Sequence, residues 1–166
     1  MTKEILLSKG YVALVDDEDY DFLSQWKWTA AVRKHTVYAY RMEKKTTAIL
    51  MHRVLLERVE GRILLSKEEV DHVDRCGLNN TRRNIRLASH ADNNKNRGIT
   101  KSNSSGYKGV GWDKYTSKWV AYIRLDGKHK NLGRFSSLKE AAMAYDDASI
   151  RFHGDFSVTN KSLGRL

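Results

Sequence analysis

The chain has 166 residues, with 30 Lys+Arg against 20 Asp+Glu and a formal net charge of +10. Its 40% hydrophobic content and 4 Trp exclude a wholly disordered chain, and no apolar run approaches the ~20 residues of a membrane-spanning helix. A single cysteine, Cys76, excludes an intrachain disulfide and a multi-cysteine zinc site. Met1-Thr2-Lys3-Glu4 lacks the basic-then-apolar opening of a secretory signal, so a reducing compartment, the cytoplasm, is expected. The charge is unevenly placed. Residues 1–94 carry 16 basic and 14 acidic side chains, a net +2, whereas residues 95–166 carry 14 and 6, a net +8. A C-terminal part this basic favours a polyanion, either nucleic acid or an anionic membrane surface.

Residues 1–45 read as a supporting α+β subdomain. The run Lys9-Gly10-Tyr11-Val12-Ala13-Leu14-Val15 is strand-like. Acids at Asp16-Asp17-Glu18-Asp19 precede Tyr20, Phe22, Leu23 and Trp26, a spacing that predicts a short helix with its acids at the positive end. Val37–Met42 reads as another strand. From Thr46 to Gly61 the residues Leu50, Val54, Leu55 and Val59 recur at helical spacing, and Gly61 suits the stop.

Residues 67–98 are polar and rich in Asn, His and Arg, which is unusual for a core segment. Val70-Asp71-His72-Val73-Asp74 sets an acid beside a histidine inside a short apolar bracket. A strand there points Asp71 and His72 to opposite faces, so one can ligate a metal while the other faces substrate. Asn84 follows in Arg82-Arg83-Asn84-Ile85-Arg86-Leu87, and Asn93 in Ala91-Asp92-Asn93-Asn94. A helix near residues 88–96 would return Asn93 to the same ion, and two oxygen donors suit Mg²⁺ better than zinc. Asp74, Asn79 and Asn80 read as loop-formers, because Asx side chains stabilise turns. His90 reads as a rival ligand or a surface residue, His52 as structural or a DNA contact, and Cys76 as an inert loop thiol.

Asp71-His72…Asn84…Asn93 resembles the HNH, or ββα-metal, nuclease motif of phage-type homing endonucleases. The likeness covers residues 46–97 and includes the stretch Leu78–Leu87 and the preceding Met51-His52-Arg53-Val54-Leu55-Leu56. It implies that Asp71 and Asn93 are ligands of Mg²⁺ (or Mn²⁺). Asn93 stands where many relatives have histidine. His72 would be the general base that deprotonates water. Asn84 would brace the loop and orient His72, and Arg82, Arg83 and Arg86 would contact phosphates.

After a linker-like Gly98–Gly106, the block 107–160 reads as three strands and a helix, with a tail at 161–166. Tyr107–Trp112 and Lys118–Leu125 are strands, Asp126-Gly127 is a hairpin turn, and Lys128–Phe135 returns as the third strand. Ser137-Leu138-Lys139-Glu140 is a capping box before an apolar stripe of Leu138, Ala141, Ala142, Tyr145, Ala148 and Phe152, and Gly154 ends the helix. Alternation turns Trp119, Ala121, Ile123 and Leu125 to the helix. Lys118, Val120, Tyr122 and Arg124 then face outward, with His129, Asn131 and Gly133 beside them.

The segments Tyr-Lys-Gly-Val, Lys-Trp-Val-Ala-Tyr-Ile-Arg, Asn-Leu-Gly-Arg-Phe and Glu-Ala-Ala-Met-Ala-Tyr-Asp-Asp-Ala-Ser resemble the plant ethylene-response-factor DNA-binding domain over residues 106–160. The resemblance implies a sheet laid in the DNA major groove, with Lys108 and Arg124 at basic contact positions. Gly111, Tyr122, His129 and Asn131 replace a family Arg, Glu, Arg and Trp, so the binding mode carries over and the plant target sequence does not. Lys114, Lys118, Lys128 and Lys130 are expected phosphate contacts, and Trp112 either touches DNA or covers the sheet edge.

The fold expected is therefore α+β: a ββα-metal nuclease domain followed by a small domain of a three-stranded antiparallel sheet packed on one helix. The function expected is a site-targeted, metal-dependent endonuclease acting on double-stranded DNA. It would have no membrane or small-molecule partner, and would work in the host cytoplasm if phage-encoded. The competing expectation is a non-catalytic DNA-binding regulator with a degenerate nuclease domain.

Overall fold

Alternating apolar residues near the N-terminus pair off first. In the computed structural model, which describes residues 1–34, 36–44 and 46–166, strands β1 (Thr2–Leu6) and β2 (Val12–Asp16) run antiparallel, with Ile5 opposite Ala13 and Lys3 opposite Val15. Ile5, Ala13 and Val15 turn inward and pack with Leu23 of helix α1 (Asp17–Leu23). The acids Asp17, Glu18 and Asp19 occupy the first turn of α1, where the helix dipole favours negative charge. Asp19 is nevertheless fully buried. Its carboxylate receives two 2.7 Å hydrogen bonds from the Arg82 guanidinium, and Arg58 stands 3.5 Å away.

Strands β3 (Thr29–Val32), β4 (Val37–Glu43) and β5 (Thr47–Leu50) form an antiparallel meander. Helix α2 (Met51–Glu60) follows, and Gly61 ends it at φ +65°. The helix begins later than the spacing from Thr46 implies, because Thr47–Leu50 pair with Tyr40–Glu43 as β5. Its buried face is Met51, His52, Leu55 and Leu56, and Val59 is exposed. Strands β6 (Glu69–His72) and β8 (Ile85–Ala88) are antiparallel, with Asp71 opposite Arg86. Between them the two-residue β7 (Asn79–Asn80) pairs in parallel with β2, setting Asn80 opposite Val15. Helix α3 (His90–Lys95) follows β8.

The chain divides into two compact units, residues 1–90 and 91–166. In the second, β9 (Val110–Asp113), β10 (Lys118–Leu125) and β11 (Lys128–Phe135) form an antiparallel sheet in the order β11-β10-β9. Helix α4 (Leu138–His153) packs on one face, capped by the Ser137 hydroxyl, which accepts from Glu140 N. Val110, Ala121, Ala141 and Ala142 form one core cluster, and Ile123, Tyr145 and Ala148 another. Two expectations shift here. The strand register slips at Leu132, so Ala121 faces Gly133 while Tyr122 faces Asn131. This bulge puts Gly133 on the helix side rather than outward. On α4, His153 takes a buried position, whereas Phe152 is 38% exposed. The architecture is mixed α+β, with small sheets and four α-helices among the described residues.

Two residues carry much of the geometry. Substituting Arg82→Ala strands a buried carboxylate. Unfolding free energy in urea is expected to fall by about 2–3 kcal/mol, at the low end of such losses because Arg58 stays near. Gly109 sits at φ +72°, and a Cβ there would overlap the Tyr145 ring. Gly109→Ala should cost about 2 kcal/mol or more, seen as a lower thermal midpoint.

Candidate functional site

Strand β6 ends on Asp71 and His72, which are 7% and 5% exposed. The chain then makes a long polar excursion before Ile85 returns as the partner of His72. Asn84 holds that excursion together. Its Oδ1 accepts from Asp74 N at 2.9 Å, and its Nδ2 donates to Asp74 Oδ1 at 2.8 Å and to Asn79 O at 2.7 Å. Asp74 also accepts from Cys76 N and from Asn79 Nδ2. Asp74, Asn79 and Asn84 thus form a mutual brace across the loop. Gly77 lets the loop pass closely over the start of β4: a Cβ there would meet Val37 O at 2.5 Å and the Tyr38 ring at 2.6 Å.

The third loop asparagine behaves differently. Asn80 is fully buried and its Oδ1 lies 3.3 Å from His72 Nε2. The His72 ring also meets His52 edge-on at 5.0 Å between centroids and Tyr38 at 5.9 Å. Burial is the main cause that lowers the His72 pKa, opposed by the Asn80 hydrogen bond and the charges of Asp74 and Asp71. His72 is therefore neutral at physiological pH, the form that accepts a proton. His52, buried on α2, is pushed down to about 3 by desolvation and then by His72 and Arg53. Its Nδ1 has no hydrogen-bond partner among the described residues. The Tyr38 phenol is raised by burial and by Asp71.

The remaining motif residues separate. Asp71 Oδ2 accepts from Arg86 Nε at 2.9 Å and from Nη2 at 2.7 Å. Arg82 is engaged by Asp19 and, at 2.8 Å, by Glu18, while Arg83 is exposed. Asn93 lies on α3, in the unit of residues 91–166. His90 is 76% exposed at its side chain and sits 2.9 Å from Glu69. No group of three His, Cys, Asp or Glu that could hold a metal occurs among the described residues. What the motif offers is oxygen: the Asp71 carboxylate and the Asn93 amide. That donor chemistry accords with a hard cation that keeps much of its water and unsuits a structural zinc.

On the β9–β11 sheet, the outer face carries Tyr122, Arg124, His129 and Asn131. The Tyr122 and His129 rings meet edge-on at 5.3 Å, Arg124 Nε donates to Gly127 O, and Asn131 Oδ1 accepts from Gly133 N. Lys114 and Lys118 are exposed at the β9–β10 end. Lys128 and Lys130 stand opposite Leu125 and Ile123, on the helix side, and Lys130 Nζ lies 4.8 Å from the Phe152 ring. Lys108 Nζ donates to Lys95 O at 2.7 Å. Trp112 lies edge-on against Trp119 at 4.9 Å, half exposed.

Asn80 and His52 are the residues that the motif spacing leaves unassigned. The sequence signal for His52 was its place beside Met51 on the same helical face as Leu55 and Leu56. For Asn80 the signal was faint, since Asn79 and Asn80 look alike in sequence and only the parallel pairing with β2 sends them different ways.

No protein-family model matches the chain. "Protein 3.8" of phage T7 is 34% identical over 88 residues, covering 53% of this chain and 72% of that protein. The chain belongs to the family of T7 protein 3.8. It is 29% identical over 154 residues to a protein of Acanthamoeba polyphaga mimivirus named "uncharacterized HNH endonuclease", covering 92% of this chain and 76% of the relative. It is also 42% identical over 60 residues to APETALA2-like protein 2 of rice (Oryza sativa subsp. indica), covering 36% of this chain and 14% of the plant protein. No helix among the described residues is long and apolar enough to cross a membrane.

The buried neutral imidazoles set an acid limit on stability. The His52 pKa is near 3 when folded against 6.5 as the ordinary value, so the unfolded chain binds more protons between those values. Stability should be complete above about pH 6.5 and fall steadily as pH drops toward 3. Urea midpoints at pH 7.5, 6 and 5 measure this, and His52→Phe should flatten the profile.

Proposed function

We propose that the chain is an HNH-type DNA endonuclease, site-targeted in the manner of homing enzymes. Residues 1–90 would carry the general base and residues 91–166 would bind double-stranded DNA. One observation carries the reading: His72 is buried and neutral beside Asp71, at the end of a strand whose return loop is braced by Asn84. The kinship with a mimivirus protein named as an HNH endonuclease, over most of both chains, points the same way.

In this reading His72 takes a proton from a water molecule as the water oxygen forms its bond to phosphorus. The bond to the 3′ oxygen breaks on the opposite side, and that oxygen departs. Asn84 acts at one remove, by fixing the loop against which His72 is set. Asp71 and Asn93 would hold Mg²⁺ or Mn²⁺, which when bound neutralises charge on the phosphate and the leaving oxygen. Arg86 is the counter-charge of Asp71 and Arg82 that of Asp19, so both belong to the scaffold, and Lys108 is engaged by the Lys95 carbonyl. DNA contact falls to the outer sheet face. Tyr122, Arg124, His129 and Asn131 offer donors and acceptors to base edges, while Lys114 and Lys118 meet phosphates.

The Asp71–Arg86 pair also supports a second reading, a DNA-binding regulator that does not cut, because an arginine already neutralises the carboxylate a cation would need. A supercoiled-plasmid assay separates the two. Nicking with Mg²⁺, its loss in EDTA, and at least a 10²-fold loss in His72→Ala with DNA affinity retained are expected of the nuclease. Tight binding with no nicking in Mg²⁺ or Mn²⁺ is expected of the regulator. For the binding face, Lys118→Ala should weaken affinity evenly across DNA sequences and reduce the log–log salt slope by about 1. An unchanged slope removes Lys118 from the interface.

A further inference from the structure

We propose that Arg75, at the tip of the loop that follows His72, is a phosphate-binding residue that holds the DNA backbone beside His72. Its place is the first observation. The Arg75 backbone N–H donates to the His72 carbonyl at 2.9 Å, which closes a β-turn, and a β-turn keeps its first and fourth Cα atoms within about 7 Å. An arginine side chain spans that gap. The backbone on either side of Arg75 is tied down. Asp74 exchanges hydrogen bonds with the Asn84 amide, Cys76 N donates to Asp74 Oδ1 at 2.8 Å, and Gly77 N donates to Thr36 Oγ1 at 3.1 Å. Arg75 therefore projects from a fixed base.

Charge is the second observation. Arg82 is engaged by Asp19 and Arg86 by Asp71, so neither guanidinium is open to a phosphate. Arg75 is exposed and has no ion-pair partner among the described residues. The third observation is its backbone, at φ +66°, a left-handed conformation that glycine or asparagine takes at less cost. Ser117 and Asp126 share it in hairpin turns, so strain alone assigns nothing. Here it falls on a long cation beside the proposed base, in the kind of site where strain gathers. A guanidinium presents a planar fork of donors that matches two oxygens of one phosphate. The contact rests on the reading that the His72 site acts on DNA, and the effect on rate rests on the nuclease reading as well.

Arg75→Gly is the informative variant, because it removes the guanidinium and the backbone strain together, so its thermal midpoint should not fall. Its DNA affinity, measured in EDTA at rising salt, should lose about 1 from the log–log slope. Nicking of supercoiled plasmid with Mg²⁺ at saturating DNA should slow about 10-fold or more, since charge on the phosphate grows in the transition state. Arg75→Lys should restore the slope but only part of the rate, because an ammonium lacks the fork. Lys27→Ala removes an equal charge from the exposed stretch between α1 and β3 and should leave the rate unchanged. Cys76, the sole cysteine and exposed, reports contact directly: saturating DNA duplex should protect it from a maleimide in the wild type. An unchanged slope and rate in Arg75→Gly, an equal loss of rate in Lys27→Ala, or labelling of Cys76 indifferent to DNA each overturn the proposal. A wild type that binds DNA and protects Cys76 yet nicks nothing in Mg²⁺ or Mn²⁺ overturns the nuclease reading, and the salt slope of Arg75→Gly then decides the role of Arg75.

Discussion

A carboxylate with no access to solvent organises the first unit. Asp19, on α1, has its negative charge answered almost wholly by Arg82, which lies 63 residues further along and at the foot of the polar loop. Asp16 Oδ2 in turn accepts from the Arg82 backbone N–H at 2.7 Å. A charge taken out of water needs its partner in place, so the loop cannot drift while the N-terminal layer is folded. The parallel pairing of β2 with β7 secures the same segment a second time. Residues near the N-terminus thereby set where Asn80 and Asn84 stand, and through Asn80 where His72 stands. The N-terminal subdomain is part of the site's foundation.

The site itself is an assembly of neutral polar groups beneath the surface. Burial lowers the pKa of both His52 and His72, and the rings of Tyr38, His52 and His72 pack against one another. A base kept dry in this way retains its lone pair at physiological pH. Asp71 is instead paired across the strands with Arg86. Two adjacent residues of one strand thus sit in different settings, one packed among rings and the other against a guanidinium.

Much of this was legible in the sequence, where local chemistry and spacing agree. Asp126-Gly127 marks the β10–β11 turn, Ser137 and Glu140 mark the start of α4, and Asp71-His72 with Asn84 marks a strand, a loop and a return strand. What stayed hidden depends on partners distant along the chain. Arg82 reads as a phosphate contact until Asp19 is seen beneath it. Helical spacing from Thr46 competes with the pairing of Thr47–Leu50 to β4, and the pairing wins. The bulge at Leu132 is a break in the pairing with β10 that alternation within β11 cannot report, and it reverses the side on which Gly133 falls. Lys130 looks like a phosphate contact by composition, yet its register opposite Ile123 sends it toward Phe152. Asn93 and Asp71 share a motif but fall in different compact units.

Asn160, fully buried, accepts from Lys108 N at 2.7 Å and returns Nδ2 to the Lys108 carbonyl, while Asp146 receives its backbone and side-chain N–H groups. This clasp joins residues 52 positions apart, one just before the first strand of the sheet and the other just after its helix. Closing so long a loop carries an entropic cost that local contacts do not share. During synthesis the sheet and helix of this unit can collapse together early, but the amide that locks them emerges from the ribosome only after every strand has done so. For the basic half of the molecule, full rigidity thus waits on a residue that follows every strand and the helix it secures.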